Sequence, residues 1–264
     1  MLNFAGLRLS ILTLASATAL TLAVPAFAGP MAGVVDDGWY ARGEVGAQML
    51  AEDRGFWWGP GGPPGDPRIT FSLQDARSIT GAAAIGYDWM NGFRTDLSLM
   101  LNGSQDITAD ILSASDSSPI GDHASRITTS VWSQAVLANA FFEPMKAMGN
   151  NGPVQPFLTA GIGIANVSMG EWTREHPSKS DRTFEGASRV NLAWTLGAGV
   201  SFALGDLAGG HPVFMDLTYR YADLGKAQGS AAAVDKGASA YEAFNFENTS
   251  HTVTIGLRVP FGNN

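Results

Sequence analysis

The chain has 264 residues, 45% of them hydrophobic and 15% charged, with a formal net charge of −8. An acidic balance without a basic patch excludes a partner held through its phosphate backbone, since that draws on clustered Lys and Arg. With 0 cysteines there is no disulfide framework, and 32 dispersed glycines with 13 prolines fit neither a collagen repeat nor a disordered tract.

The first residues read as an export signal. Met1 to about Ser10 carries Arg8 and no acid, Ile11–Val24 is an apolar run diluted by Thr and Ser, and Ala26-Phe27-Ala28 has the small-x-small pattern of a signal-peptidase site. The expectation is a signal peptide over 1–28, cleaved after Ala28, and a single mature domain over 29–264. The rival, an uncleaved anchor, is disfavoured because Pro25 interrupts a run already shorter than the roughly 20 apolar residues that span a bilayer as a helix. No later segment is long and apolar enough either, so a helical membrane protein is excluded.

From residue 38 onward the periodicity is two, the spacing of a strand with different environments on its two faces. The first candidate strand, about Gly38 to Leu50, sets Trp39, Ala41, Val45, Ala47 and Met49 against Arg42, Glu44 and Gln48. The second, about Arg77 to Trp89, turns Ile79, Ala83, Ile85, Tyr87 and Trp89 outward. The third, about Gly92 to Ser104, sets Phe93, Leu97, Leu99 and Leu101 against Arg94, Asp96, Ser98 and Asn102. In the fourth, about Arg126 to Phe142, Ile127, Val131, Leu137 and Phe141 share the face read as apolar and outward, with Arg126, Thr128, Ser130, Trp132 and Gln134 inward. The fifth, about Val154 to Met169, places Leu158, Ile162 and Ile164 over Thr159, Gly161 and Gly163. The sixth, about Arg189 to Leu204, places Val190, Leu192, Trp194, Leu196, Val200 and Phe202 over Asn191, Thr195, Gly197, Gly199 and Ser201. The seventh, about Val213 to Leu224, exposes Val213, Met215, Leu217, Tyr219 and Tyr221 over Asp216, Thr218 and Arg220. The eighth alternates Val253, Ile255, Leu257, Val259 and Phe261 with Thr252, Thr254, Gly256 and Arg258.

Links between these strands alternate short and long. Asp88–Gly92, Glu143–Pro153 and Gly205–Pro212 are compact and rich in Gly, Pro and Asn, whereas Ala51–Ala76, Gln105–Ser125, Gly170–Ser188 and Gly225–Asn248 are long and hydrophilic. That rhythm is the asymmetry of an outer-membrane barrel, with short periplasmic turns and long extracellular loops. The fold class is therefore all-β: an eight-stranded antiparallel up-and-down transmembrane barrel with four long extracellular loops and both termini periplasmic. A soluble sandwich shares the alternation. It does not account for the export signal, the loop rhythm or the aromatics near strand ends (Trp39, Tyr87, Trp89, Phe93, Phe141, Phe202, Phe214, Tyr219, Tyr221), which look like interfacial girdles.

Three stretches carry a family resemblance. Asp216-Leu217-Thr218-Tyr219-Arg220-Tyr221-Ala222-Asp223-Leu224-Gly225 resembles the penultimate-strand signature of opacity-type bacterial surface proteins. His251 to Arg258 resembles their closing strand, and Pro156 to Gly163 their fifth. The resemblance implies an eight-stranded barrel of the Gram-negative outer membrane, serving as surface antigen, adhesin or envelope-stabilising protein, with no catalytic residues to carry over. Gly262-Asn263-Asn264 follows Phe261 where the family stops on the aromatic, which bears on the expected role of Phe261 as the insertion signal read by the assembly machinery.

Eight strands leave a lumen only wide enough for side chains. Arg42, Glu44, Arg94, Asp96, Asp216, Arg220 and Arg258, with Gln134, are expected to face it and to pair as a structural plug, because an unpaired charge there is costly. The alternatives are a narrow porin-like ion path along the same residues, or a lipid A-modifying enzyme. The last founders on Ser250-His251: neighbouring strand residues point to opposite faces, and position 253, where such a deacylase carries serine, is Val. His123, His176 and His211 are dispersed, no metal-ligand spacing is present, and no metal or cofactor is expected. In the first long link Trp57 and Trp58 beside a Pro-rich arm are candidates for recognition, or for the membrane interface or a fold back over the mouth. Asp106, Asp110, Asp116 and Asp122 in the second are candidates for bridging cations to lipopolysaccharide, or simply solvated charge. The expected setting is a monomer among outer-membrane lipid and lipopolysaccharide.

Overall fold

The computed structural model describes residues 38–119, 123, 126–206, 212–234 and 237–261. The signal segment with its Ala28 site, Asp122, His211 and the 262–264 tail lie outside the described residues. The strands are β1 (Gly38–Leu50), β2 (Arg54–Trp58), β3 (Arg68–Leu73), β4 (Arg77–Asp88), β5 (Phe93–Ala114), β6 (Arg126–Phe142), β7 (Val154–Met169), β8 (Trp172–Glu175), β9 (Arg182–Phe184), β10 (Ala187–Asp206), β11 (Pro212–Gln228) and β12 (Glu242–Pro260).

A closed antiparallel ring runs β1, β4, β5, β6, β7, β10, β11, β12 and back to β1. In hydrocarbon no water can satisfy a free strand edge, so only such closure lets strands span. The final register places Arg42 opposite Arg258 and Val45 opposite Ile255, and the Phe261 amide donates to the Trp39 carbonyl at 2.9 Å. The turn after β4 is tight for the reason its sequence suggests: Met90 and Gly92 take positive φ of 64° and 84°, and the Asp88 and Asn91 side chains accept the Met90 and Phe93 amides at 2.9 and 3.1 Å.

The outward face of the ring is the lipid surface. Ile79 is 72% and Val190 71% exposed, and Leu97, Leu101, Leu158, Ile162, Leu192, Leu196, Val253 and Leu257 are exposed beside them. A continuous apolar belt of this kind is incompatible with water and is what an outer-membrane barrel presents to acyl chains. Trp39, Tyr87 and Trp89 stack edge to face at the turn end, with centroids 5.6 and 4.9 Å apart.

The fourth strand is inverted relative to the sequence reading. Ile127, Val131, Leu137 and Phe141 are buried and face inward, while Trp132, Gln134, Val136, Ala138 and Ala140 face out. Gln134 is therefore not a lumen residue. The apolar parity misled because part of this lumen is itself apolar. For the same reason two residues read as girdle aromatics turn inward: the Phe141 ring is buried, and Phe214 lies under the Arg258 guanidinium at 4.1 Å.

The long links carry further strand and are not hydrophilic loop throughout. β5 runs on to Ala114 and β12 begins at Glu242. The hairpin β2–β3 bridges β12 to β5 above the ends of β1 and β4. The hairpin β8–β9 pairs with β6 above β7 and β10. From β9 hydrogen bonds continue to residues 230–234, as Glu185 N to Ala232 O at 2.9 Å and Val234 N to Thr183 O at 3.0 Å, and from there to the start of β12, as Gly229 N to Phe244 O at 3.1 Å. The ring thus closes a second time outside the membrane.

This upper storey encloses an apolar core of Trp57, Ile69, Phe71, Ile107, Ile127, Val167, Met169, Trp172, Phe184, Phe244 and Phe246. Trp172 stacks on Phe184 at 4.0 Å and 7°, and its indole nitrogen donates to the Ser230 carbonyl at 3.0 Å. Register shifts mark the change of storey: one in β5 between Asn102 and Gln105, one in β11 between Asp223 and Lys226. The first adds a residue and reverses the inward parity from even to odd, as a bulge does. At the second, Gly225 has φ of 76° and a Cβ there would sit 2.5 Å from that of Asn191.

Two outcomes follow. Cysteine at Leu97, Trp194, Leu257 or Ala138 will react with a lipid-soluble probe, and cysteine at Arg94, Arg258 or Leu137 will not; labelling of the Leu137 position and protection of Ala138 would restore the opposite register of β6. Leu196→Arg, midway along the lipid face of β10, will destabilise the folded barrel by about 2–4 kcal/mol in refolding titrations.

Candidate functional site

The inner half of the lumen is a charge cluster built by β1, β5, β11 and β12. It brings together all of Arg42, Glu44, Arg94, Asp96, Asp216, Arg220 and Arg258, with side chains no more than 9% exposed. Alternation puts them there: each lies at inward parity on its strand, between residues that face lipid.

Two chains of ion pairs result. In the first, Arg220 donates to both Glu44 oxygens at 2.6 and 3.2 Å. Glu44 also accepts from Arg42, whose Nε and Nη2 reach Asp96 Oδ2 at 2.9 and 2.8 Å. Asp96 is completed by Asn139 Nδ2 at 2.7 Å and the Tyr40 hydroxyl at 3.3 Å. In the second, Arg94 is shared between Glu143, at 2.9 Å, and Asp216, at 3.4 Å. Arg258 lies 3.7 Å from Asp216, and the Ser201 hydroxyl donates to Asp216 Oδ1 at 2.6 Å. Aromatic faces fill the remaining space: Arg94 lies over Phe141 at 4.1 Å and Phe157 at 4.9 Å. Tyr40 lies beside both chains, under Arg94 at 6.0 Å and Arg258 at 5.5 Å.

Glu143, Tyr40, Asn139 and Phe157 were not among the candidate site residues read from sequence, and Phe141 was read there as an outward aromatic. Glu143 balances four arginines with a fourth carboxylate, and Lys146 ties it at 3.9 Å, and Asp88 at 2.8 Å, to the periplasmic rim. Its signal was present: on β6 the odd positions 137, 139 and 141 face inward, and 143 continues that parity into the turn. Inverting β6 concealed Asn139 and Glu143 together.

Chemically the cluster is closed. Each of its carboxylates is held by at least one guanidinium and so is poorly placed as a general acid or base. Ser250 is buried, whereas His251 faces outward, its Nδ1 2.7 Å from the Tyr219 hydroxyl, so the two form no nucleophile–base pair. Among the described residues no group of three or more His, Cys, Asp and Glu is placed to hold a metal ion.

The loop candidates have moved into structure. Trp57 is buried in the upper core rather than displayed, which corrects its candidacy as an exposed anchor. Trp58 donates to the Asp66 carbonyl at 2.6 Å and packs edge-on against Tyr241. Asp110 sits on β5 and accepts from Arg126 and Gln74, each at 2.8 Å, and the Arg126 contact holds its carboxyl below the usual range. Asp116 is bonded by Ser118, while Asp106 is exposed on β5. Phe261 is exposed at the end of the closing strand.

Fold, lipid belt and filled lumen define a small β-barrel protein of the Gram-negative outer membrane. No family model matches the chain. It is 29% identical over 280 residues to an uncharacterized protein of Brucella abortus, covering 94% of this chain and 93% of that one. To the outer membrane protein PagN of Salmonella typhimurium it is 26% identical over 147 residues, covering 55% of this chain and 57% of that one. Among solved structures it is similar to the outer membrane protein OprG from Pseudomonas aeruginosa, with TM-score 0.50 and 12% identity over 86% of this chain and 98% of that one. The resemblance to opacity-type surface proteins read from the later strands agrees with this class.

Removing one member of the first ion-pair chain strands another in low dielectric. Glu44→Leu, which orphans Arg220, will cost about 3–5 kcal/mol in urea titrations. The double variant Glu44→Leu/Arg220→Met will recover most of that loss; additive losses would show that the two side chains are not coupled.

Proposed function

We propose that the protein is a non-enzymatic, monomeric surface protein, in which the barrel is a rigid sealed mount for an extracellular β-storey that acts as antigen, adhesin or envelope-stabilising element. The observation that carries this reading is double closure. Among the described residues the lumen is filled by paired charges near the periplasm and by aromatic and aliphatic side chains above, which favours a sealed mount over a transport path. Export through a cleaved signal peptide, recognition of the Phe261 strand by the assembly machinery, and lateral contact with lipopolysaccharide belong to the same reading.

Two measurements separate it from its rivals. The purified barrel in planar bilayers will show no single-channel current, and incubation with lipid A will release no acyl chain. A steady conductance whose ion preference changes when Arg94 or Arg220 is neutralised would instead favour the pore, and acyl release would favour the enzyme. In cells, deletion will raise detergent sensitivity or reduce surface binding, and neither barrel-lining substitution will reproduce a binding loss while the upper storey stays folded.

A further inference from the structure

At the outer mouth, where the β2–β3 and β8–β9 hairpins meet, lies a cavity of about 170 Å³ lined by Trp57, Asp66, His123, Arg174, His176 and Lys179, among others. Among the described residues, two buried donors at its wall have no hydrogen-bond partner: the indole nitrogen of Trp57 and Nε of Arg174. Arg174 is only 9% exposed. Among the described residues its side chain makes one hydrogen bond, a long one from Nη2 to the Ser180 carbonyl at 3.4 Å, and its guanidinium lies 5.8 Å from the Trp57 ring.

The charge arrangement is unusual for an acidic protein. Arg174 stands directly opposite Arg182 across the β8–β9 pair, a like-charge placement that destabilises a hairpin unless something offsets it. Lys179 sits exposed at the tip of that hairpin. Burial first, and Arg182 second, depress the Arg174 pKa below its ordinary value, with Asp181 opposing only in part. The Asp66 carboxylate also lines the cavity, its Oδ2 accepting the Gly61 amide at 2.7 Å. A buried donor left without an acceptor is costly, the more so when charged, so these two donors beside a like-charge cross-strand pair define a place for an acceptor bearing negative charge.

We propose that this cavity is an oxyanion site whose ligand is a phosphate group, received by Trp57 Nε1 and Arg174 and neutralised with Lys179. Size sets the limit. Pockets for drug-sized ligands run to about 300–1,000 Å³, so only the phosphate and the atom bearing it enter, with the rest of any ester outside. The tetrahedral group suits donors converging from two hairpins, and Arg is the side chain that binds it with directed donors while Lys adds a point charge. The two hairpins touch through this cavity, so an occupied site also ties them together.

The test uses the full mature barrel refolded in detergent, titrated with inorganic phosphate against chloride at matched ionic strength and followed by calorimetry. Saturable heat with phosphate alone is expected. Trp57→Phe, which keeps the ring and removes the N–H, will weaken it about tenfold, roughly the worth of one hydrogen bond to a charged group. Lys179→Gln on the exposed tip will weaken it, and Arg77→Gln, an exposed arginine elsewhere, will leave it unchanged. Proteoliposomes containing phosphorylated or dephosphorylated lipid A distinguish the sources. Protection of the β8–β9 amides from exchange by the phosphorylated lipid alone assigns a headgroup, whereas protection only on adding inorganic phosphate assigns a soluble ion. Heat indistinguishable from chloride, or binding unaltered in both Trp57→Phe and Lys179→Gln, would overturn the site.

Discussion

The width of an eight-stranded ring governs the rest of this molecule. Such a ring leaves room for side chains and little else, so every inward residue has to be satisfied by another inward residue. In the inner half the solution is ionic. Four arginines meet Glu44, Asp96, Asp216 and Glu143, with Asn139, Ser201 and Tyr40 taking up further valences. Desolvating so many charges is costly, and sharing makes it tolerable: Glu44, Arg42, Arg94 and Asp216 each bridge two partners.

The aromatic rings of Phe141, Phe157 and Phe214 belong to this solution as much as the carboxylates do. A guanidinium is weakly hydrated and stacks on ring faces, so Arg94 and Arg258 find apolar walls where lysine would find only lost water. That is a physical reason for the cluster's four cations all being arginine, with the one lysine, Lys146, at the rim where it is partly wet.

How far this was legible in sequence depended on whether one face of a strand met a single environment. β1, β4, β7, β10, β11 up to its shift at Asp223 and the end of β12 keep lipid on one side, and their faces follow from alternation alone. β6 does not: Arg126, Thr128 and Ser130 lie above the membrane with wet outer faces, and Ile127 and Val131 lie inside an apolar core, so its polarity pattern is reversed at one end. β5 hides a bulge at Asn102 to Gln105, after which the same pattern means the opposite face. The hairpins β2–β3 and β8–β9 are short and rich in charge, and their core residues Trp57, Ile69, Trp172 and Phe184 show as strand only once the partners that cover them are known. Of the charge cluster, seven members were readable because charge at lipid parity is forbidden; Glu143 was not, because its parity is carried into the turn from β6, the strand whose faces the apolar pattern reverses.

Both storeys obey one rule applied under different solvents. Within the membrane the exterior is hydrocarbon, so Ile79, Leu196 and Leu257 are stable outside and the charges collect inside. Above it the exterior is water, where burying apolar area is worth about 25 cal/mol per Å², so Phe71, Trp172 and Phe244 go inside and Arg126 and Asp110 pair on the surface. Two strands that cross the boundary, β5 and β11, have a register shift where the rule changes sign, and one extra residue is what a strand of fixed period needs to exchange its faces. The upper storey is thus a second barrel-like layer that shares strands with the membrane barrel and packs around an apolar core of its own. A surface built that way presents its outer hairpins from a packed support rather than from free loops, so the side chains at the mouth are held in place, Arg174 over Trp57 among them.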